Sequence, residues 1–256
     1  VSESGQAGQS LDLDLTSTTA NIMLGSGLFS AQPSVTIVIG GVKETFKGGQ
    51  VVTAGEYVAI QQVLSGGQQG VALSGSGAAT GGSFSLNAVD KGNVVSLIIP
   101  KSVTALDYVS KNSTVSLSGD LTNYGSIDAV STNSKVTSGT ISAADITNEV
   151  GATISAVSST SVSNLSLILQ ATNNISNSGS IASSGALTLN AGGNIVNALP
   201  LGTAAGAHVA APTIHAVNDV NLSSGTGNFT NDGLIASTHN NINITSSNAA
   251  ADINVS

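Results

Sequence analysis

Residues 175–183 read ISNSGSIAS, and the same frame returns as LTNYGSIDA from Leu121 and as FTNDGLIAS from Phe229. The frame is an apolar residue, Thr or Ser, Asn, a variable residue, Gly, Ser or Leu, and Ile. The copies start at positions 121, 175 and 229, so the same 54-residue interval occurs twice in succession. A fixed period of this kind marks a repeat architecture, whose units are too small to bury their own apolar faces and therefore stack on one another. The frame predicts that Asn123, Asn177 and Asn231, with Gly125, Gly179 and Gly233, form equivalent turns on one side of the stack.

Around these copies the apolar residues recur at a short step. Leu169, Ile175, Ile181 and Leu187 are six apart, and Leu222, Phe229, Ile235 and Ile242 are six or seven apart. Such a step is too long for strand alternation and does not hold one helix face, but it suits short strands separated by turns. Within the pieces a period of two is visible, as in Leu165, Leu167 and Leu169 or Ile242 and Ile244. Doublets also recur at a 22-residue step, from Leu167 to Leu189 and from Leu222 to Ile244. The expected fold is all-β: a parallel β-helix, with coils of roughly 20 residues built from three strands and three turns. The 54-residue interval then equals either two longer coils or three shorter ones. NALPLGTAAGAHVAAP, near 197–213, reads as a loop inserted into one coil.

Composition agrees with a narrow, repetitive core. Only 3% of residues are aromatic and 8% charged, and Trp, Cys and Arg are absent, so the apolar material is mainly Val, Ile, Leu and Ala. Disordered chains combine low hydropathy with high net charge, whereas here mean hydropathy is +0.28. The net charge of −8 without any guanidinium argues against a nucleic-acid partner. No apolar run is long enough to span a membrane as a helix. Residues 1–10, VSESGQAGQS, lack a basic region followed by an apolar stretch, so a signal peptide is expected to be either absent or already removed.

Residues 1–110 differ from the rest. They read as a capping or assembly module of mixed strands with one helix near 54–64, and residues 111–256 as the β-helix. Thr53 and Glu56 form a capping box, Tyr57, Ile60 and Leu64 share a helix face, and Gly66 supplies the stop. LDLDL at 11–15 alternates Leu11, Leu13 and Leu15 with Asp12 and Asp14. It reads as a half-buried strand, or as a segment added to the sheet of a neighbouring subunit.

Residues that carry chemistry do not converge in the sequence. GSGAATGG at 75–82, with Gly75 and Gly77, is followed by the strand-like SFSLNAV rather than by the helix that a dinucleotide loop needs, so it reads as a turn and no cofactor is expected. Asp120, Asp128, Asp145, Glu149, Asp219, Asp232 and Asp252 are scattered, and neither Lys111 nor Lys135 recurs with them. No catalytic residue is assigned, and the chain is not expected to be an enzyme. His208, His215 and His239 lack the close pair spacing of a zinc site and read as surface residues, so no metal is expected. Asn-x-Ser/Thr triplets begin at Asn112, Asn164, Asn174, Asn221, Asn228, Asn243 and Asn254. They are read as amides suited to turns and stacking in preference to glycosylation acceptors.

GSIASSGALTLNAGGNIVN at 179–197, with its Gly-Ser-Ile, Leu-x-Leu and Gly-Gly-Asn-Ile elements, resembles the repeats of filamentous-haemagglutinin-like exoproteins and related β-strand-repeat surface proteins of bacteria. The resemblance spans about residues 115–256. It implies export, a right-handed parallel β-helix, and a role as an adhesin or surface fibre at the bacterial cell surface. The Asn-Pro motifs typical of the secretion module of that group do not occur here. The expected function is that of a secreted structural protein: an extracellular fibre or surface-layer subunit that self-associates end to end by strand addition. Its partners would be further copies or the continuation of a longer chain. The alternatives are an adhesive or carbohydrate-binding passenger acting on host surfaces or glycans, and a polysaccharide-cleaving β-helix.

Overall fold

The computed structural model describes residues 11–15, 17, 19–39, 41–64, 84–88, 94–109, 115–201, 209–248 and 253–255. Gly66, the glycine-rich stretch 75–82, Lys111, Asn112, His208 and Asp252 lie outside those residues.

The chain winds into a parallel β-helix with three sheets. Each coil contributes one short strand to sheet I, one to sheet II and one to sheet III. Coil 1 is Val94–Ile99, Thr104–Tyr108 and Val115–Ser116. Coil 2 is Leu121–Asn123, Ser126–Val130 and Ser138–Ala143, and coil 3 is Ile146–Asn148, Thr153–Ala156 and Ser166–Ala171. Coil 4 is Ile175–Asn177, Ser180–Ser183 and Leu187–Ala191. Coil 5 is Ile195–Asn197, Thr213–Ala216 and Val220–Ser224. Coil 6 is Phe229–Asn231, Leu234–Ser237 and Ile242–Ser246, and Ile253–Val255 then returns to sheet I.

Stacking puts like on like. In sheet I, Ile146, Ile175, Ile195 and Phe229 are register partners. In sheet II the column is Ile127, Ile154, Ile181 and Ile214. In sheet III, Leu167 lies beside Leu187 and Leu169 beside Leu189, followed by Val220 and Leu222. All of these side chains are buried. Adjacent strands are about 4.8 Å apart, so each inward aliphatic group meets its counterpart above and below at contact distance. A strand pair has no apolar face deep enough to exclude water alone; the column does. Leu222 and Ile244 are register partners, as their spacing suggests, but Leu167 and Leu189 are not, because coil 4 is two residues shorter than the 22-residue step.

Parallel stacking begins at Val94, earlier than residue 111, because Val94–Ile99 and Thr104–Tyr108 already pair in parallel with coil 2. Their far edges are taken by antiparallel strands: Asn21–Leu24 beside Val94–Ile99, and Leu11–Leu15 beside Thr104–Tyr108. Beyond these lie Val51–Thr53 and Phe84–Ala88, again antiparallel. Within this chain Leu11, Leu13 and Leu15 lie on a strand paired along its whole length with Phe84–Ala88 and, through Leu13–Leu15, with Thr104–Tyr108.

The helix Ala54–Leu64 packs on this antiparallel end, together with the hairpin Val35–Ile39 and Val42–Phe46 and a short 3-10 turn, Ser26–Phe29. It starts where the sequence says it should. The Glu56 carboxylate accepts from the Thr53 backbone N–H at 2.7 Å, and the Glu56 N–H donates to the Thr53 hydroxyl at 3.3 Å. These satisfy two donors that the helix N-terminus would otherwise leave unpaired. Tyr57 is buried beneath the helix, and its phenol accepts from Gln61 at 3.0 Å; burial pushes the tyrosine pKa upward.

Candidate functional site

The three repeated motifs fall on one corner of the coil, between sheets I and II, and two further residues join them. Asn123, Asn148, Asn177, Asn197 and Asn231 are all buried and form one continuous amide column. The Asn123 amide donates to Asn148 Oδ1 at 2.9 Å, and Asn148 donates to Asn177 at 2.8 Å. Asn177 donates to Asn197 at 2.7 Å, and Asn197 to Asn231 at 2.6 Å.

The second amide hydrogen reaches across the turn into the next coil. Asn123 donates to the Thr153 carbonyl, Asn148 to that of Ser180, and Asn177 to that of Thr213, at 2.9, 3.0 and 3.0 Å. A buried primary amide without partners would be costly. Here each link in the column satisfies one donor and one acceptor at once, and the geometry repeats at the same period as the backbone ladder.

The 54-residue interval is two coils, and the turns explain why the motif skips every other one. Successive ladder asparagines are separated by 25, 29, 20 and 34 residues, so each pair of coils sums to 54. In coils 2, 4 and 6 the corner is a two-residue turn, Tyr124-Gly125, Ser178-Gly179 or Asp232-Gly233. In coils 1 and 3 it has four residues, Pro100 to Val103 and Glu149 to Ala152, and in coil 5 it is the inserted segment 198–212. Both four-residue turns are closed by a bond from their last N–H to their first carbonyl, Val103 to Pro100 at 3.2 Å and Ala152 to Glu149 at 2.9 Å. Gly151, with φ of 77°, takes the left-handed position in one, and Ser102, with φ of 65°, takes it in the other.

The short turns sit directly against these longer ones. A Cβ at Gly125 would lie 2.2 Å from the Val103 carbonyl and 2.5 Å from that of Pro100; at Gly179 it would lie 2.3 Å from Ala152 and 2.5 Å from Glu149; at Gly233 it would lie 2.3 Å from Pro212. The repeated glycines are thus demanded by close backbone approach and not by an unusual φ. Asn148 and Asn197 escape the motif search because their coils carry the longer turns, which displace the glycine. The shorter signal of an apolar residue, any residue, then Asn, as in ITN at 146–148 and IVN at 195–197, would have found them.

A second column lies at another corner and is more exposed. Asp145 accepts from Asn173 Nδ2 at 3.0 Å and from the N–H and Nδ2 of Asn174 at 3.0 and 2.9 Å. Asn174 Oδ1 in turn accepts from Asn194, and Asn194 Oδ1 accepts the Asn228 N–H. The hydrogen bond from Asn173, opposed by partial desolvation and helped by those from Asn174, holds the Asp145 carboxyl below its ordinary pKa. A depressed carboxyl pKa contributes stability above its unfolded value, which is lost as pH falls through the folded value. Titrating the melting temperature from pH 6 down to pH 2 is expected to show a smaller acid-side decline in Asp145→Asn than in the native chain; equal declines would remove this role. Solvent screening keeps the effect small.

The remaining candidates stay apart. Asp128 accepts from the Ser155 hydroxyl at 2.6 Å. His215 meets Thr238 Oγ1 at 3.0 Å, and His239 Nδ1 lies 3.2 Å from the Val217 carbonyl. Among the described residues no three His, Asp or Glu side chains are grouped to hold a metal ion. Asn221 and Asn243, two of the Asn-x-Ser/Thr residues, stack through a hydrogen bond in which Asn243 Nδ2 donates to Asn221 Oδ1 at 2.8 Å. No family model, curated protein or solved structure matches this chain.

Proposed function

We propose that the protein is a structural subunit of an extracellular or cell-surface assembly, extended end to end by strand addition. The observation that supports this reading is the inequality of the two ends of the β-helix. At one end, sheets I and II pass into antiparallel strands with a helix packed on them, and the outermost of these strands, Val51–Thr53 and Phe84–Ala88, keep an edge of their own among the described residues. At the other, Leu234–Ser237, Ile242–Ser246 and Ile253–Val255 are paired on one side only among the described residues. Leu234 and Ile242 are exposed there, and Ile235 and Ile244 are half-buried. Three parallel edges around an apolar centre accept strands of the same pitch, supplied by a second copy or by further coils of a longer chain.

The interior chemistry points the same way. The polar groups of the corner are occupied in stacking coil on coil, as a scaffold requires. Negative-stain imaging of native particles tests the proposal. Rods or filaments with an axial repeat set by the coil spacing of about 4.8 Å are expected. A monodisperse compact monomer at micromolar concentration would overturn it.

A further inference from the structure

Sheet III ends, among the described residues, on Ile242–Ser246, which is paired on one side only. The earlier strands of that sheet show what such an edge receives. The inward residue that opens a strand donates its backbone N–H to the coil that follows: Leu167 to the Ala186 carbonyl at 3.0 Å, Leu187 to that of Asp219 at 2.8 Å and Val220 to that of Asn241 at 2.9 Å. Alternation along a parallel strand then turns the N–H and C=O groups of Ile242, Ile244 and Ser246 toward the free edge.

The side chains define what fits there. Three inward lanes run through coils 3 to 6. The first holds Leu167, Leu187, Val220 and Ile242, and the second Leu169, Leu189, Leu222 and Ile244. The third holds Ala171, Ala191, Ser224 and Ser246, with nothing larger than serine. Ile242 is 44% exposed and Ile244 half-buried, so both aliphatic lanes reach the edge still in contact with water. On the outer face Asn243 Nδ2 donates to Asn221 Oδ1, so the acceptor end of the Asn243 amide is turned to the side from which a further strand would come.

We propose that this edge is a receptor for an extended peptide carried by another polypeptide, of the form aliphatic, Asn, aliphatic, polar, then Ala or Ser, laid down parallel to Ile242–Ser246. The proposal rests on the reading of the open end given above and adds the chemistry of the partner. Backbone bonds supply affinity without choosing a sequence, and the lanes choose it. Two aliphatic residues spaced by two continue the Ile242 and Ile244 lanes and remove them from water. An asparagine between them donates to Asn243, and a small residue completes the third lane as it does in coils 3 to 6. The chain's own VNLSS at 220–224 and INITS at 242–246 have this form, so the contact that already joins coil 5 to coil 6 is the one the edge repeats.

The probe is a labelled synthetic peptide of residues 217–227, titrated into the full chain and followed by fluorescence anisotropy. Saturable binding is expected, with hydrogen exchange slowed at the Ile242, Ile244 and Ser246 amides in the complex. The same peptide in reversed sequence, identical in composition, is expected not to bind. Asn221→Ala in the peptide should weaken binding about threefold, the share of one solvated hydrogen bond. That difference should vanish against the chain carrying Asn243→Ala, an exposed substitution that leaves the aliphatic lanes in place. Absence of saturable binding, equal binding of the reversed peptide, protection elsewhere than Ile242–Ser246, or an Asn221→Ala effect of the same size against both chains would overturn the proposal. Filaments that form from a chain to which the peptide does not bind would leave end-to-end assembly standing and remove this edge as a receptor. Peptide binding with this selectivity to a chain that stays monomeric would do the reverse.

Discussion

Replacing Asn177 by Asp is expected to destabilise the β-helix by about 3–5 kcal/mol at neutral pH, the range for an uncompensated buried charge. The substitution is nearly isosteric, so packing is preserved and the change is electrical. The native amide donates to Asn197 Oδ1 and to the Thr213 carbonyl. A carboxylate would turn a bare oxygen toward both, and the low local dielectric leaves that repulsion poorly screened.

The pH dependence has a definite sign. Burial and acceptor neighbours favour the neutral acid, raising the folded pKa of the new Asp above its unfolded value. Between those values the folded state binds more protons, so stability falls as pH rises. The variant should regain much of its melting temperature in mild acid, whereas Asn177→Leu, which has no titrating group, should not. A loss in Asn177→Asp that does not vary with pH would mean that the ladder is not the seat of the effect. Stacked coils couple mainly to their neighbours, so a break at coil 4 should also split the melt into two transitions.

Gly179→Ala comes next, with an expected loss of about 1–3 kcal/mol, the usual magnitude for overpacking. Its new methyl would press on the Ala152 and Glu149 carbonyls of the coil below, both backbone atoms that cannot swing aside. Gly151→Ala is the informative comparison. Nothing lies within 4 Å of a Cβ there, but φ is 77°, so its loss is conformational strain alone. Urea denaturation of the two variants separates the causes. Enlarging the side chain from Ala to Leu, which is unbranched at Cβ, should deepen the loss steeply at 179 and little at 151, where the space is open; parallel trends at both sites would refute close approach as the reason for Gly179.

Much of the coil was legible beforehand because stacking leaves a one-dimensional trace. Inward residues recur once per strand, and the capping box at Thr53 and Glu56 is a local signal satisfied by neighbours three residues apart. What escaped the sequence depends on contacts between coils. Leu167 and Leu189 look like a stacked pair, yet their register partners are Leu187 and Leu169, since turn lengths vary from coil to coil. Leu11–Leu15 has the alternation of an edge strand, but a strand and its unknown partner read alike whether that partner is in the same chain or another.

The sequence alone therefore determined the class of fold, a stack of short strands with aliphatic columns, because burial in such a stack imposes periodicity on every coil. It also marked one corner as special through the repeated Asn and Gly. Only the tertiary structure decided that the interval between motif copies is two coils, that five asparagines and not three share one buried ladder, and that the glycines answer to carbonyls in the coil beneath. The physical reason is that these properties belong to the approach of one turn to the next. That approach is set by the lengths of two turns together, and no single copy of the motif contains both.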